Sequence, residues 1–377
     1  MSFFENHNNW PLVALKDIAM LKRGYDLPTK DRVEGGVPIY AANGVNGRHD
    51  EVKIKGPGVI TGRSGTIGKV HYTEQDYWPL NTALYVTNFH GNDPKWVYYM
   101  LCAFKLDRYV EGAGVPTLNR NLVHDELIPL PPLEEQKRIA AILDKADAIR
   151  QKRKQAIDLA DEFLRSVFLD MFGDPVTNPK GWGVRKLQDL TSKLGSGSTP
   201  RGGKEAYLSA GISLIRSLNV HDNTFIYKDL AFISNEQAEK LKNVVVQEQD
   251  ILLNITGASV CRCTMVPSNV LPARVNQHVC IIRVDRALLL PEFAKRLITS
   301  TSFKQMLMRI ATSGGATREA LTKQQVENLT LIVPPMELQK KFCDIVDKVL
   351  DIDTKTNKQV AFPLFDSLSQ KAFSGQL

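Results

Sequence analysis

The chain has 377 residues, 43% of them hydrophobic and 24% charged, with a formal net charge of +7. That length exceeds one ordinary domain and supplies apolar residues for two cores, while a basic balance favours an anionic partner such as nucleic acid or a membrane surface. No run reaches the roughly 18 apolar residues of a membrane span, and the scattered Cys102, Cys261, Cys263, Cys280 and Cys343 read as no disulfide framework.

The opening MSFFENHNNWP has neither the positive start nor the apolar stretch of a secretory signal, so we expect a reducing, cytoplasmic setting. Residues 1 to about 130 read as mixed α/β. Strands are predicted at Val37–Tyr40, Gly58–Thr61, Gly68–Tyr72 and Ala83–Val86, punctuated by Gly, Asn and Pro, with a helix over Pro94–Lys105 that has proline near its first position.

From Leu133 to about Met171 no Pro or Gly interrupts a sequence rich in Ala, Leu, Lys, Glu and Gln, which predicts one long helix. At 1.5 Å per residue it spans on the order of 55–60 Å. Pro131 and Pro132 stop the preceding segment, and Glu134 and Glu135 suit the positive end of a helix. Ile139, Ile142, Ala146, Ile149, Ala156, Ala160, Phe163 and Val167 fall near a 3.5-residue repeat that Arg153 breaks, and Gly173 ends the helix. Beyond it, strands are predicted at Ser213–Arg216, Asp250–Thr256 and His278–Val284, and a helix over Pro291–Ile310. Pro335–Leu377 is again helical, with Phe342, Ile345, Val349 and Ile352 on one face. Pro363 predicts a kink or two shorter helices, and Phe365, Leu368 and Phe373 continue the apolar side.

The chain repeats itself. LPPLEEQKRIAAILD (130–144) matches VPPMELQKKFCDIVD (333–347), with Pro131/Pro334, Glu134/Glu337, Gln136/Gln339, Lys137/Lys340 and Asp144/Asp347 all offset by 203 positions. Trp10, Leu15 and Asp17 match Trp182, Leu187 and Asp189 at an offset of 172. Between these, Arg63, Thr66, Ile67 and Lys69 align with Thr256, Ser259, Val260 and Arg262, Asn81 with Asn276, and Leu118 with Leu321. The growing offset implies one scaffold carrying two loop sets that differ by insertions, a period far longer than that of solenoids. The expected fold class is therefore α/β (α+β): two similar globular domains separated by two long antiparallel helices forming a coiled-coil spacer, in a pseudo-twofold internal repeat. Its divisions are 1–130, a first globular domain; 131–172, a central helix; 173–333, a second globular domain; and 334–377, a distal helix kinked near Pro363.

Catalytic patterns are wanting. GRSGTIGK (62–69) has the wrong spacing for a phosphate loop, and Val70 stands where Ser or Thr would hold magnesium. Cys261 and Cys263 have no second pair at zinc spacing. No dinucleotide glycine fingerprint follows a strand. The basic run Arg150–Lys154 reads as a solvated helix face or a contact to DNA or partner.

The twice-present Pro-Pro-(Leu/Met)-Glu-(Glu/Leu)-Gln-Lys helix start, the TGRSGTIGKVHY segment (61–72), the tail SLSQKAFSGQL (367–377) and its internal counterpart SVFLDMFGD (166–174) resemble the specificity subunits of Type I restriction–modification enzymes over essentially the whole chain. Pro363, and Cys261 where the first half has Gly68, depart from the expected pattern. The resemblance implies two variable target-recognition domains, each reading one half of an interrupted double-stranded DNA site, with the helices setting the gap. It implies no cofactor and no metal in this chain. Two modification subunits would dock on the helices and carry S-adenosylmethionine for adenine methylation, and a restriction subunit with ATP and Mg can join them. Diverged loops imply an asymmetric site, and half-sites on one DNA face lie roughly 34–36 Å apart, within reach of such a helix. Two alternatives are a single-chain methyltransferase or endonuclease with divergent motifs, and a scaffold that binds protein only.

Base edges are read by Arg, Asn and Gln, and phosphates by Lys, Arg and backbone N–H. In the first domain the candidate DNA-binding residues are Asn43, Asn46, Arg48, Arg63, Ser64, Thr66, Lys69 and Arg120. In the second they are Ser198, Thr199, Arg201, Arg216, Asn219, Asn254, Thr256, Ser259, Arg262, Asn276, Gln277 and Arg318. The Asn-Gly pairs of the first domain are equally ordinary turns, and GSGSTPRGGK (195–204) equally a linker. Candidate partner-binding residues on the helices are Glu134, Gln136, Lys137, Glu337, Gln339 and Lys340.

Overall fold

The computed structural model describes residues 2–111, 116–199, 203–313, 319–357 and 362–377. Two compact units emerge, Met1–Gln155 with Asn357–Leu377, and Ala156–Thr356.

The first unit contains β1 (Leu12–Ala14), β2 (Leu21–Arg23), β3 (Val37–Ala41), β4 (Gly44–His49), β5 (Gly58–Gly62), β6 (Val70–Thr73), β7 (Trp78–Pro79), β8 (Ala83–Val86), α1 (Pro94–Phe104), β9 (Leu127–Pro129) and the first part of α2 (Leu133–Phe172). One sheet has the order β2-β8-β5-β6, a second β4-β3-β7, and β1 pairs with β9. Strands β5 (GVITG) and β8 (ALYV) are buried throughout, as expected of continuous apolar runs flanked on both faces. Helix α1 opens with Pro94 inside the cap Asp93, whose side chain accepts from Trp96 N at 2.8 Å, and it turns Trp96, Val97, Met100, Leu101 and Phe104 into the core over β5 and β6. Strand β6 starts at Val70 rather than Gly68 because Gly68 adopts φ 88°.

The second unit repeats this plan with β10 (Val184–Lys186), β11 (Thr191–Ser196), β12 (Ile212–Ile215), β13 (Ala231–Ile233), β14 (Val245–Val246), β15 (Ile251–Asn254), β16 (Cys263–Met265), β17 (Ala273–Val275), β18 (Val279–Val284), α3 (Pro291–Ile298), α4 (Thr301–Thr312), β19 (Thr330–Ile332) and the start of α5 (Met336–Asn357). Its sheets run β11-β18-β15-β16 and β13-β12-β17-β14, and β10 pairs with β19. β12–β17 is the parallel counterpart of β3–β7. The predicted single helix over Pro291–Ile310 is two helices. Thr299 Oγ1 donates to Lys295 O (3.0 Å) and Ser300 Oγ to Leu297 O (2.7 Å), and Ser300 leaves helical space at ψ 148° before α4 begins.

Equivalent details recur in the two units. Asn6 Nδ2 donates to Trp10 O (2.8 Å) while Asn6 Oδ1 accepts from Trp10 N (2.9 Å), and Asn178 with Trp182 repeats both bonds at 2.8 and 2.9 Å. Cys261 takes φ 66°, the same left-handed turn as Gly68, so the departure from glycine preserves the turn at the cost of local strain.

Helix α2 has 40 residues and ends at Gly173 in left-handed conformation, where Gly173 N donates to Leu169 O at 2.8 Å. A Cβ on Gly173 would lie 2.7 Å from Pro179 Cγ, which makes glycine the fit for this close approach. The buried positions correct the predicted seam. In the first unit they are Ile139, Ala140, Leu143 and Ala146, packed with Phe365, Ala372 and Phe373 of α6 (Phe362–Ser374). In the second unit they are Leu164, Phe168 and Phe172, and Phe172 meets Phe342 of α5 at 5.6 Å between ring centroids. Ile149 and Phe163, assigned to the seam, are 49% and 52% exposed, because α2 drifts off a strict 3.5-residue register at 3.6 residues per turn. The distal segment is two helices, with Pro363 the second residue of α6, where its missing N–H costs no helical hydrogen bond.

Candidate nucleic-acid interface

Four loops converge at one corner of each unit, and backbone hydrogen bonds define their correspondence. In the first unit Arg63 N donates to Thr82 O (2.8 Å), Gly65 N to Pro116 O (3.0 Å) and Leu118 N to Arg63 O (2.8 Å). In the second, Ile255 N donates to His278 O (2.9 Å), Gly257 N to Glu319 O (2.9 Å) and Leu321 N to Ile255 O (2.8 Å). The Ser64–Thr117 bridge likewise answers the Thr256–Ala320 bridge. Arg63 is thus equivalent to Ile255, Ser64 to Thr256, and Asn81 to Gln277. This corrects by one position the sequence alignment of Arg63 with Thr256 and Asn81 with Asn276; the Leu118–Leu321 match stands.

The fourth loop leaves the first strand of each main sheet. Gly24 and Gly197 lie here because the chain presses on a neighbouring carbonyl: an added Cβ would sit 2.3 Å from Leu80 O and 1.8 Å from Val275 O respectively. Two residues further on, each loop hands a polar side chain to the amide opposite. Asn81 Nδ2 donates to Asp26 Oδ1, and Arg63 Nη1 donates to Asn81 O at 3.2 Å. In the second unit Thr199 Oγ1 donates to Gln277 Oε1, Gln277 Nε2 meets His278 Nε2 at 3.1 Å, and His278 Nδ1 meets Thr256 Oγ1.

The remaining first-unit candidates spread around this corner. Asn43 is exposed in the β3–β4 turn, and Asn46 and Arg48 are exposed on β4. Asn46 accepts from Arg32 Nη1 through O (2.9 Å) and Oδ1 (3.1 Å), and Arg48 Nη1 donates to Gly36 O. Thr66 and exposed Lys69 lie in the β5–β6 loop, where Thr61 Oγ1 donates to Lys69 O at 2.9 Å. Arg120 opens a short helix, Arg120–His124. Burial pushes the His71 imidazole on β6 below its ordinary value, and Lys69 adds to the shift, favouring the neutral ring.

In the second unit Ser198 is exposed, Arg262 Nη1 meets His221 Nε2 at 3.3 Å, and Arg216 lies over the Tyr207 ring at 5.1 Å while donating to Asp229 O. Arg201 and Arg318 lie outside the described residues. Three candidates are corrected. Asn219, Asn254 and Asn276 are buried and occupied internally. Asn219 Nδ2 donates to Ile226 O (2.8 Å), Asn254 Nδ2 to Ser217 O (2.9 Å) and Ser259 Oγ (3.2 Å), and Asn276 Oδ1 accepts from His278 N (3.1 Å). Each amide bonds loop backbone that has no strand partner, as buried polar groups require, although Asn254 Oδ1 is buried without a hydrogen-bond partner. Asp26, Asn81, His278 and Arg32 hydrogen-bond the candidate loops but are not among the residues that the sequence singles out; a glycine two residues before Asp26, directly after a strand, is the available sign.

On the helices Glu134–Lys137 (2.8 Å) and Glu337–Lys340 (3.4 Å) are exposed ion pairs. Gln136 and Gln339 do not present side chains to a partner, because they are 2% and 0% exposed. Gln136 Oε1 accepts from Asp93 N (2.9 Å), and its Nε2 donates to Asn92 Oδ1 (2.9 Å) and Pro131 O (3.0 Å). Gln339 Oε1 accepts from Leu290 N (2.9 Å), and its Nε2 donates to Leu288 O (3.2 Å) and Pro334 O (2.9 Å). Each glutamine clamps the start of a long helix to the segment that opens α1 or α3. Burial raises the Cys261 thiol to about 12, and among the described residues no group of three or more His, Cys, Asp or Glu is placed to hold a metal ion. Among those residues no helix is long and apolar enough to cross a membrane.

The chain is a duplicated two-sheet domain in which one loop corner recurs with two different polar fillings. The model of the Type I restriction modification DNA specificity domain matches residues 7–159 and again 179–361. The chain belongs to that family. It is 24% identical over 348 residues to the Type I restriction enzyme MjaIX specificity subunit of Methanocaldococcus jannaschii, covering 86% of this chain and 78% of that one. It is 24% identical over 295 residues to the EcoBI specificity subunit of Escherichia coli, covering 70% and 61%. The crystal structure of a Type I restriction–modification S subunit from M. genitalium shares the fold, with a TM-score of 0.63 at 15% identity over 99% of each chain.

Proposed function

We propose that this chain is the DNA-reading subunit of a Type I restriction–modification enzyme, each recognition corner reading one half of an interrupted, asymmetric site. The observation that carries this reading is the recurrence of one loop corner with different side chains, Asp26–Asn81 in one unit and Thr199–Gln277 in the other. Identical corners would read identical half-sites, and diverged ones read two different sequences. Helices α2, α5 and α6 set the gap and dock modification subunits, two in number. The chemistry is external to this chain: S-adenosylmethionine is held by the modification subunits, and ATP with Mg by a restriction subunit where one joins. The protein works in the cytoplasm.

The test is methylation by purified chain with and without modification subunits. The complex should methylate a two-part, non-palindromic site, and the chain alone should neither methylate nor cut in the presence of S-adenosylmethionine and magnesium. DNA binding should weaken steeply with salt, by about −0.9 log units of affinity per log unit of salt for each phosphate neutralised. Turnover by the isolated chain, or a single palindromic site, refutes the reading.

A further inference from the structure

The two corners hold their amides in opposite senses. In the first unit the neighbour of Asn81 is a carboxylate, which can only accept, so Nδ2 must face Asp26 and Oδ1 must face away. Among the described residues no donor meets that oxygen, and Asp26 is exposed at the same edge, with Arg23 Nη2 3.5 Å from Oδ1. The outward edge of this corner therefore presents two acceptor groups, Asn81 Oδ1 and the Asp26 carboxylate, beside the one N–H of Asn81 Nδ2 that Asp26 does not take. In the second unit a hydroxyl donates to Gln277 Oε1 and takes one of its two lone pairs, and Gln277 Nε2 has two N–H groups, of which His278 Nε2 can take one. Gln277 is exposed, so the outward edge of this corner is a donor. The backbone bonds that make Asn81 and Gln277 equivalent place this opposition at one position of the shared scaffold.

We propose that Asn81 and Gln277 are specificity-determining residues, each for one base of its half-site, with opposite hydrogen-bonding demands. This rests on the DNA-reading function above. Asn81 and Asp26 accept from an exocyclic amino group in the major groove, cytosine N4 or adenine N6. Gln277 donates to a base acceptor, guanine N7 or O6 or thymine O4. Asp26 acts as a positioning residue that selects which end of the Asn81 amide faces outward, and Thr199 and His278 hold the two ends of the Gln277 amide. A carboxylate at a DNA surface is disfavoured against phosphate and favoured against an amino group, so Asp26 also excludes the wrong contact.

The experiment is selection from a library of randomised DNA duplexes by the full chain assembled with its modification subunits, reading base preference at every position. Gln277→Glu replaces the outward donor by an acceptor with little change of shape. The preferred base at one position of one half-site should change from guanine or thymine to cytosine or adenine, by at least about tenfold, the scale of a good base contact. Asp26→Asn releases the Asn81 amide to turn over, and should relax one position of the other half-site only. Should either variant fail to assemble, Thr199→Val should relax one position that Thr199→Ser preserves. Wild-type motifs in all assembled variants overturn the proposal while leaving the DNA-reading function intact. A wild-type complex that selects no two-part motif overturns the function itself.

Discussion

Removing the Gln136 clamp separates a structural role from a docking role. Gln136→Ala strands three groups: Asp93 N–H, Asn92 Oδ1 and Pro131 O. Asp93 and Asn92 are half-buried and can recruit water, whereas Pro131 is buried. A stranded buried group costs roughly 1–3 kcal/mol, and water recovers part of the cost at the other two, so the loss should total about 2–4 kcal/mol. For a unit of this size about 1 kcal/mol corresponds to a 2–4 °C shift, which places the fall in Tm at roughly 4–16 °C. Calorimetric melts of wild type, Gln136→Ala and the exposed neighbour Lys137→Ala, each alone and with modification subunits, measure it. Lys137→Ala should stay within about 0.5 kcal/mol of wild type. Gln136→Glu keeps the acceptor for Asp93 N but sets oxygen against Asn92 Oδ1 and Pro131 O, and should be no better than alanine. An unchanged melting point for Gln136→Ala, with loss of subunit assembly, would refute the clamp and restore Gln136 as a partner contact.

In the second unit, Arg283→Ala leaves the fully buried Asp250 carboxylate without the guanidinium that meets it through Nε and Nη2 at 2.7 Å each. Urea unfolding should show a loss of about 3–5 kcal/mol, and a loss below about 1 kcal/mol would show that Gln247 N suffices for Asp250. Burial holds His71 and His124 below the ordinary histidine value of 6.5, so the unfolded chain takes up protons first as pH falls. Stability of the first unit should therefore be level above that value and decline below it, through the depressed folded-state values. His71→Gln and His124→Gln together should flatten this limb in melts between neutral and mildly acidic pH, and an unchanged limb would assign it to other groups.

Much of the fold is written locally. Pro94 and Asp93 announce α1, the uninterrupted run from Leu133 announces α2, and Gly173 announces its end, because capping, proline geometry and left-handed backbone are decided within a few residues. The break at Thr299–Ser300 was less visible, since both residues tolerate a helix and only their hydroxyl bonds to preceding carbonyls show it ended. The apolar stripe of α2 is legible in the sequence, yet a 3.5-residue spacing puts the exposed Ile149 and Phe163 inside it, because a repeat of 3.5 and one of 3.6 diverge over 40 residues.

The amino-acid sequence by itself determined that this protein is a duplicated domain with a helix after each copy, and which family it resembles, because repeated motifs and capping signals are short-range properties. Only the tertiary structure decided which amides face outward. Asn81 and Gln277 lie at the open corner, while Asn219, Asn254, Asn276, Gln136 and Gln339 are enclosed. Burial and hydrogen-bond satisfaction depend on segments far apart in the chain, such as Asn92 and Gln136 or Asp26 and Asn81, and no local pattern records which distant atoms will arrive.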